Sequence, residues 1–483
     1  MLRLIQIVSL TILTLWMSVS VAQPVAFTNV TVVDVVGGMT VPGMTVVVAT
    51  DQISATGKTG TIEIPAGATV IDASGKFLMP GLWDMHVHVS SPRSTRGIIF
   101  PLFVAHGLTG VRVMAADCPH EGGCGEPMMT IQEIDLARSQ IEKGTLIGPR
   151  IVAGSYFVNG PRGDEPSTVL APGTPEHGRD LARWLDARGV DFIKVYDDIP
   201  REVYFALTDE ANRLGLPFAG HVPMSIQASE ASDAGQRSIE HCCMGNVLEE
   251  CSAREDELRP QALAQFELEE PHFLPIVMKL VESFDADKCA DLFARFVRNR
   301  TWFVPTLMIS RLPSELGAGW ATDPRFRFAP REEREFWKAQ QLMYDQDLGN
   351  AEERVAYTRW TRQMTGLMQD AGVRLLAGSD AGDPGVFWGS GLHDELALLV
   401  AAGLTEAEAL RAATLSPAEF LGVDDTLGTV EPGKQADLVL LAANPLEDIS
   451  NTRRIEAVMT RGRLFDREAL DALLAGAEQA AQP

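Results

Sequence analysis

Positive charge is what this chain has least of for its size. Its 483 residues carry 41 Lys and Arg against 65 Asp and Glu, a formal net charge of −24. Binding phosphate needs a basic footprint, so a non-specific nucleic-acid role is disfavoured, and the excess acid mainly serves solubility. Cysteine is sparse too. Cys118, Cys124, Cys242, Cys243, Cys251 and Cys289 are too few for a disulfide scaffold and lack the paired C-x-x-C spacing of a structural zinc site. Two pairings stand open, Cys118 with Cys124 around a short loop and Cys243 with Cys251; buried free thiols are the alternative. Internal repeats and low-complexity tracts are lacking, and 46% hydrophobic with 22% charged residues is ordinary globular composition. Disordered, collagen-like and coiled-coil readings are therefore excluded.

Long apolar runs are also missing, with one exception at the start. Arg3 precedes an apolar stretch from Leu4 to Val19, and Ser20-Val21-Ala22 offers a small-x-small cleavage site. The expectation is a signal peptide over residues 1–22, giving a secreted or periplasmic chain that begins at Gln23. An uncleaved anchor is the alternative, although the run is near the lower limit for spanning. No later segment is apolar enough to span, so no stable membrane span remains after cleavage.

Length at about 150 residues per domain suggests three domains, but large α/β barrels are single units. From Val25 to about Met79, short β-branched runs punctuated by Gly and Pro predict a small antiparallel sheet. The same texture returns in Leu427 to Leu441 and Ile455 to Phe465, which suggests one small β domain built from both chain ends. A last helix from Arg467 to Ala475 with a frayed Ala/Gln tail is expected. Between these ends apolar runs alternate with helical patterns, the signature of βα units. Eight strands are predicted: Leu82 to Val87, Thr109 to Met114, Arg150 to Ala153, Phe192 to Tyr196, Pro217 to Gly220, Ser238 to His241, Trp302 to Thr306 and Arg374 to Ala377. The predicted fold is α/β, a (β/α)8 TIM-type barrel over residues 80–425 plus a small β-sandwich from 23–79 and 426–483. Two long connections, Leu248 to Arg300 and Ser310 to Gly372, read as solvated helices around the barrel, or as a lid or dimer surface.

The chemistry sits in a handful of polar residues on apolar strands. His86 and His88 stand two apart, so their side chains share a face and can share one cation. Asp84 lies on the same face, where it orients a ligand or fills the barrel floor. Lys194 interrupts the apolar strand Asp191 to Tyr196, and a buried ammonium is costly unless paired or neutralised. Either it snorkels from the strand end, or carbon dioxide converts it to a carbamate that bridges two cations. His221, His241 and Asp380 each end a predicted strand. Singly, each has a structural reading as a bonded core histidine or a capping aspartate. Together, all six fall at the carboxyl ends of strands, where barrel active sites assemble. Two cations with a bridging hydroxide would support hydrolysis, and Asp380 would carry the proton to the leaving group.

Met79-Pro80-Gly81-Leu82-Trp83-Asp84-Met85-His86-Val87-His88 resembles the opening signature of the amidohydrolase superfamily. The runs Ala409 to Ala418 and Gly428 to Val439 resemble its closing signatures. The likeness covers nearly the whole mature chain and is nearest the imidazolonepropionase-like branch, with its zinc-dependent prolidases and N-acyl amino-acid hydrolases. It implies two Zn2+ per chain bridged by N6-carboxylated Lys194, with His86, His88 and Asp380 on one ion and His221 and His241 on the other. It also implies a role near the substrate carbonyl or carboxylate for Tyr196, whose alternative is an aromatic core plug. Homo-oligomers are common among such barrels, so a homo-oligomer is an open expectation.

Two stretches depart from the pattern. Arg112 is followed by Val113 where an Asp is usual, so a polar group behind the ligands is missing. The loop Ser155 to Gly163 lacks the expected Gly-Gly-His. His106, His120, His177 and His272 are read as non-ligands, and His393 as a helix-capping residue. The expected reaction is amide hydrolysis of a small dipeptide or N-acyl amino acid with a free carboxylate, clamped by Arg162 or another loop arginine. A lactone, ester or aryl-amide substrate on the same site is the alternative. A mononuclear deaminase is disfavoured, because Val222-Pro223-Met224 follows His221 without the glutamate such enzymes use. A non-catalytic binding protein on a recycled barrel is disfavoured by the complete ligand set.

Overall fold

The computed structural model describes residues 23–117, 128–161, 170–241, 246–266, 274–315, 320–347 and 351–482. The signal-peptide expectation over 1–22, the Cys118–Cys124 pairing and Arg162 lie outside the described residues.

The β-branched runs near the start form β1 (Val25–Asp34), β2 (Met39–Ala49), β3 (Gln52–Lys58), β4 (Thr69–Asp72) and β5 (Phe77–Pro80). Next come β6 (Leu82–Val87), β7 (Leu108–Val113) and β8 (Arg150–Ala153), which pair in parallel. A second parallel set follows: β9 (Ile193–Val195), β10 (Phe218–Gly220), β11 (Ser238–Glu240), β12 (Trp302–Val304) and β13 (Arg374–Leu375). The chain closes with β14 (Leu438–Leu441), β15 (Ile455–Thr460) and β16 (Arg463–Asp466). The fold is mixed α/β.

Both chain ends meet in one sheet of order β16-β15-β14-β5-β1-β2-β3, with β4 on β1. The join is the antiparallel pairing of β14 with β5, in which Val439 faces Met79. Alternation along these strands puts Phe27, Val30, Val46, Leu78, Leu438 and Leu440 into a core of their own.

Each of the eight strands predicted for the middle is present, and several are shorter than predicted. The backbone turns left-handed at His241 (φ 65°) and Thr306 (φ 42°), which ends β11 and β12 before them. Pro305 removes a ladder donor at the same place. The two parallel sheets touch at both edges. Ser155 N–H donates to Phe192 O (2.9 Å) between β8 and β9, and Met85 N–H donates to Ala377 O (2.9 Å) between β6 and the segment after β13.

Both long connections are largely helical. The first carries helices Asn246–Glu250, Glu255–Phe266, Leu274–Glu282 and Ala286–Asn299. Its cysteine pairing differs from the Cys243–Cys251 expectation, because Cys251 is bonded to Cys289. The bridge ties the end of the first of these helices to the last, a contact made in space and not by neighbours in sequence. The terminal helix also differs: it runs Arg467–Ala481, with Asp466 capping Ala469 N–H (2.9 Å). The Ala/Gln tail stays helical because Leu470, Ala477 and Ala481 are buried in the main core. Among the described residues no helix is long and apolar enough to cross a membrane.

Candidate metal centre

The first strand after the small sheet supplies His86, and His88 follows just beyond its end. Their Nε2 atoms lie 3.3 and 3.1 Å from the same oxygen, Asp380 Oδ1. Asp380 reaches this point in a left-handed conformation (φ 63°). Gly378 lets the strand pass, since a Cβ there would sit 2.8 Å from His86 Cβ and 2.5 Å from Val304 Cγ1. The other carboxylate oxygen, Oδ2, lies 3.4 Å from His241 Nδ1. The His241 ring is 4.8 Å from that of His86 and 4.7 Å from that of His221. Lys194, on β9, is only 1% exposed and interacts electrostatically with Asp380, His86 and His241. The six predicted ligands therefore converge at one end of the parallel strands.

Two atoms of the cluster are anomalous as protein alone. His86 Nε2 and Asp380 Oδ1 are buried and have no hydrogen-bond partner. Such atoms are costly to bury, which makes them an open pair of donors for something between them. His86, His88 and Asp380 present ligand atoms within 4.8 Å of one another. Two imidazoles and a carboxylate are the donors that zinc and similar divalent cations accept, so the residues fit a metal.

The electrostatics of His86 and His241 agree with that role, whereas at His88 the effect of burial is outweighed by Asp380, which raises its pKa. Burial, reinforced by the Lys194 charge, holds His86 well below the ordinary histidine value, and burial pushes His241 down to about 3. Both rings are thus neutral, the form that ligates metal. Burial opposes ionisation of Asp380, but the adjacent His88 ring and the charges of His241 and Lys194 outweigh it and hold the carboxyl low. Lys194 is lowered to about 8, chiefly by burial, so its amine is far easier to neutralise than an exposed lysine.

Behind the ligands lies a layer that the sequence reading missed. Glu240 Oε2 accepts from His86 Nδ1 (2.9 Å), and Glu240 receives both contacts of Arg112 Nη2 (2.8 and 3.0 Å). Arg112 also donates to Met85 O (2.6 Å) and Ser238 Oγ (2.9 Å). The polar group that seemed missing after Arg112 is therefore supplied from β11. Asp197 Oδ1 accepts from His221 Nδ1 (2.7 Å), and Thr306 Oγ1 bonds His241 Nδ1 (2.8 Å). Such partners fix ring orientation and raise ligand basicity. Asp84 takes Ser379 N–H (2.9 Å) and His86 N–H (3.2 Å), pinning the β13 exit to β6. Burial raises its pKa to about 7.

Tyr196 belongs to the site, with its ring 4.2 Å from His221 and 4.8 Å from Phe157. Phe157 stands in the loop where Gly-Gly-His was expected, 6.1 Å from the His88 ring. His393 does not cap its helix, Ser390–Ala401: it is buried inside it, bonded to Thr452 Oγ1 and His106 O (2.9 Å each). His106 and His177 stay away from the cluster, one ending helix Phe100–Ala105 and one inside helix Pro175–Arg188. His120 and His272 lie outside the described residues.

Comparison with known proteins follows the same line. The profile of the Amidohydrolase family matches residues 352–465. An imidazolonepropionase of Porphyromonas gingivalis is 40% identical over 75 residues, 15% of this chain and 18% of that protein. Curated relatives, adenine deaminases among them, are matched over only 12% to 23% of their own lengths. Solved structures align over far more. A candidate prolidase from Bifidobacterium longum is 25% identical with a TM-score of 0.66, covering 95% of this chain and 99% of that one. Bottromycin amidohydrolase is 25% identical with a TM-score of 0.69, covering 95% and 90%. The match over residues 352–465 and these neighbours show a likeness to amidohydrolases in fold and in part of the sequence, and this chain adds a histidine–carboxylate cluster to that fold.

Proposed function

We propose that this protein is an amidohydrolase that cleaves the amide bond of small dipeptides or N-acyl amino acids bearing a free carboxylate, with two Zn2+ per chain. The observation that carries the reading is the pair of orphaned buried atoms, His86 Nε2 and Asp380 Oδ1, facing each other at the strand ends. His86, His88 and Asp380 would hold one ion, His221 and His241 the other. When bound, the cations would polarise the scissile carbonyl and make water nucleophilic at neutral pH.

The chain's own groups do the rest. Lys194, as the free amine, forms an N–C bond to carbon dioxide and releases one proton to solvent, leaving an anionic carbamate that would be available to the cations. Its lowered pKa favours that step. Asp380, held ionised, accepts the proton of the attacking water and returns it to the departing nitrogen. Tyr196 orients the substrate carbonyl or carboxylate beside His221.

The same proposal takes the two parallel sheets as one (β/α)8 barrel over residues 80–425, supported by the bonds between their edges. It takes residues 23–79 and 426–483 as a small β-sandwich domain. A signal peptide over 1–22 and a secreted or periplasmic location complete it, supported by the Cys251–Cys289 bridge, which persists in oxidising compartments.

The test is a hydrolysis screen of the mature protein, supplied with zinc and bicarbonate, against dipeptides and N-acyl amino acids with free or amidated carboxyl ends. Cleavage confined to free carboxylates is the expected result. Silence from zinc-loaded protein would overturn the substrate class and favour lactone, ester or aryl-amide substrates.

A further inference from the structure

We propose that Trp337, supplied by the long connection between β12 and β13, is a positioning residue for the cation site, with Trp388 as its partner. The inference rests on the metal-site reading above and assigns that connection a role.

Trp337 sits in helix Arg331–Asp347 and is fully buried. Its indole N–H donates to Gly382 O (2.6 Å), two residues beyond Asp380. Its ring stacks on that of Trp388, 5.7 Å between centroids and 20° between planes. Trp388 in turn donates its indole N–H to His88 O (2.8 Å). Two stacked indoles therefore each hold a carbonyl of a loop that carries a predicted ligand.

Those loops need holding. Asp380 (φ 63°) is left-handed, a conformation that in a non-glycine residue persists where the surroundings over-determine it, and Gly382 (φ 117°) turns the chain directly after it. The loops also touch directly: His88 N–H donates to Ala381 O (2.7 Å), and a Cβ on Gly382 would fall 2.9 Å from His88 Cβ. A shift of one loop is thus passed to the other. Glu332, on the same helix as Trp337, accepts from Ser91 Oγ (3.0 Å) and from Ser94 Oγ in the turn that follows His88. Phe387, Trp320 and Phe326 fix the Trp337 ring at centroid distances of 5.5, 5.6 and 6.1 Å. Packing alone would be served by any aromatic ring. The N–H directed at Gly382 O needs an indole.

Trp337→Phe keeps the ring and removes the N–H. The measurement is the zinc dissociation constant of the whole protein, by competition with a chromophoric chelator, beside the melting temperature of the metal-free form. Expected is a weakening of zinc binding by ~10-fold or more, the usual effect of removing a group that supports metal ligands. Phe326→Leu, in the same aromatic cluster but bonded to neither loop, lowers the melting temperature and leaves zinc affinity unchanged. Equal zinc affinity in Trp337→Phe and wild type overturns the inference, as does an equal loss in Phe326→Leu. Should Trp337→Phe fail to fold, Trp388→Phe is read in its place with the same expectation. Wild-type protein that binds no zinc overturns the metal-site reading and this inference together, a result distinct from equal binding by both proteins.

Discussion

Glu240→Gln is the most informative single perturbation of the layer behind the ligands. Arg112 is 1% exposed, and its charge is balanced by a Glu240 carboxylate that is itself buried. Replacing the carboxylate by an amide strands the guanidinium. Breaking a buried pair from one side costs about 3–5 kcal/mol. The lower end applies here, because the bonds from Arg112 to Met85 O and Ser238 Oγ survive. Arg112→Met alone strands the opposite charge, although Glu240 still accepts from His86 Nδ1. The double variant removes both charges of the pair, so its cost falls below the sum of the single costs by about 2 kcal/mol. Urea unfolding of the metal-free protein, in the presence of chelator, measures all three. A second effect reads out on the metal: His86 loses the carboxylate that orients it, and zinc affinity drops ~10–100-fold in Glu240→Gln. A Glu240→Gln cost under about 1 kcal/mol, or strict additivity in the double variant, would refute the claim that Glu240 carries the Arg112 charge.

Three further outcomes follow from the structure. Burial, with help from His106 and Arg453, lowers the His393 pKa from 6.5 to about 3. Between those values the unfolded chain holds a proton that the folded chain does not, so stability falls as pH drops through that window, by on the order of a few kcal/mol. His393→Gln makes this acid limb shallower, with His86, His106 and His241 supplying the rest, in unfolding curves taken from pH 7 to 3; an unchanged limb would contradict the assignment. The Cys251–Cys289 bridge spans 38 residues, for which loop closure predicts about 4 kcal/mol. Cys289→Ser should lose stability of that order, and thiol titration of unreduced, denatured wild type should find these two cysteines blocked. Lys194→Ala should also lose activity in a way that added bicarbonate does not restore, whereas bicarbonate stimulates wild type; equal rates would remove the carbamate from the mechanism.

The clustered residues were legible because each is a polar side chain on an apolar strand or just past its carboxyl end. His86 and Lys194 stand out by that rule alone, and strand alternation puts His86 and His88 on one side. Arg112 on β7 and Glu240 on β11 carry the same kind of signal. Reading them as a pair was possible in principle, yet nothing in sequence says that β7 and β11 approach behind His86. Asp197 and Thr306 gave no signal, being single polar residues in loops whose partners are set by the chain's path. The cysteine pairing failed for a related reason, since proximity in sequence favoured Cys243 while the helices of the insertion bring Cys289 to Cys251. Its place at the chain terminus makes the Ala/Gln tail look frayed in sequence, but alanines at 477 and 481 bury well against a helix-packed core. Strand positions followed closely from periodicity, while strand ends depended on left-handed turns at His241 and Thr306 that periodicity does not encode.

On the proposed reading six side chains, Lys194 among them, hold two cations. Elemental analysis of zinc per chain, on wild-type protein and Lys194→Ala reconstituted in parallel with zinc and bicarbonate, addresses it most directly. Two zinc ions are expected in wild type and at most one in the variant. One zinc in wild type, or the same number in both proteins, would contradict it.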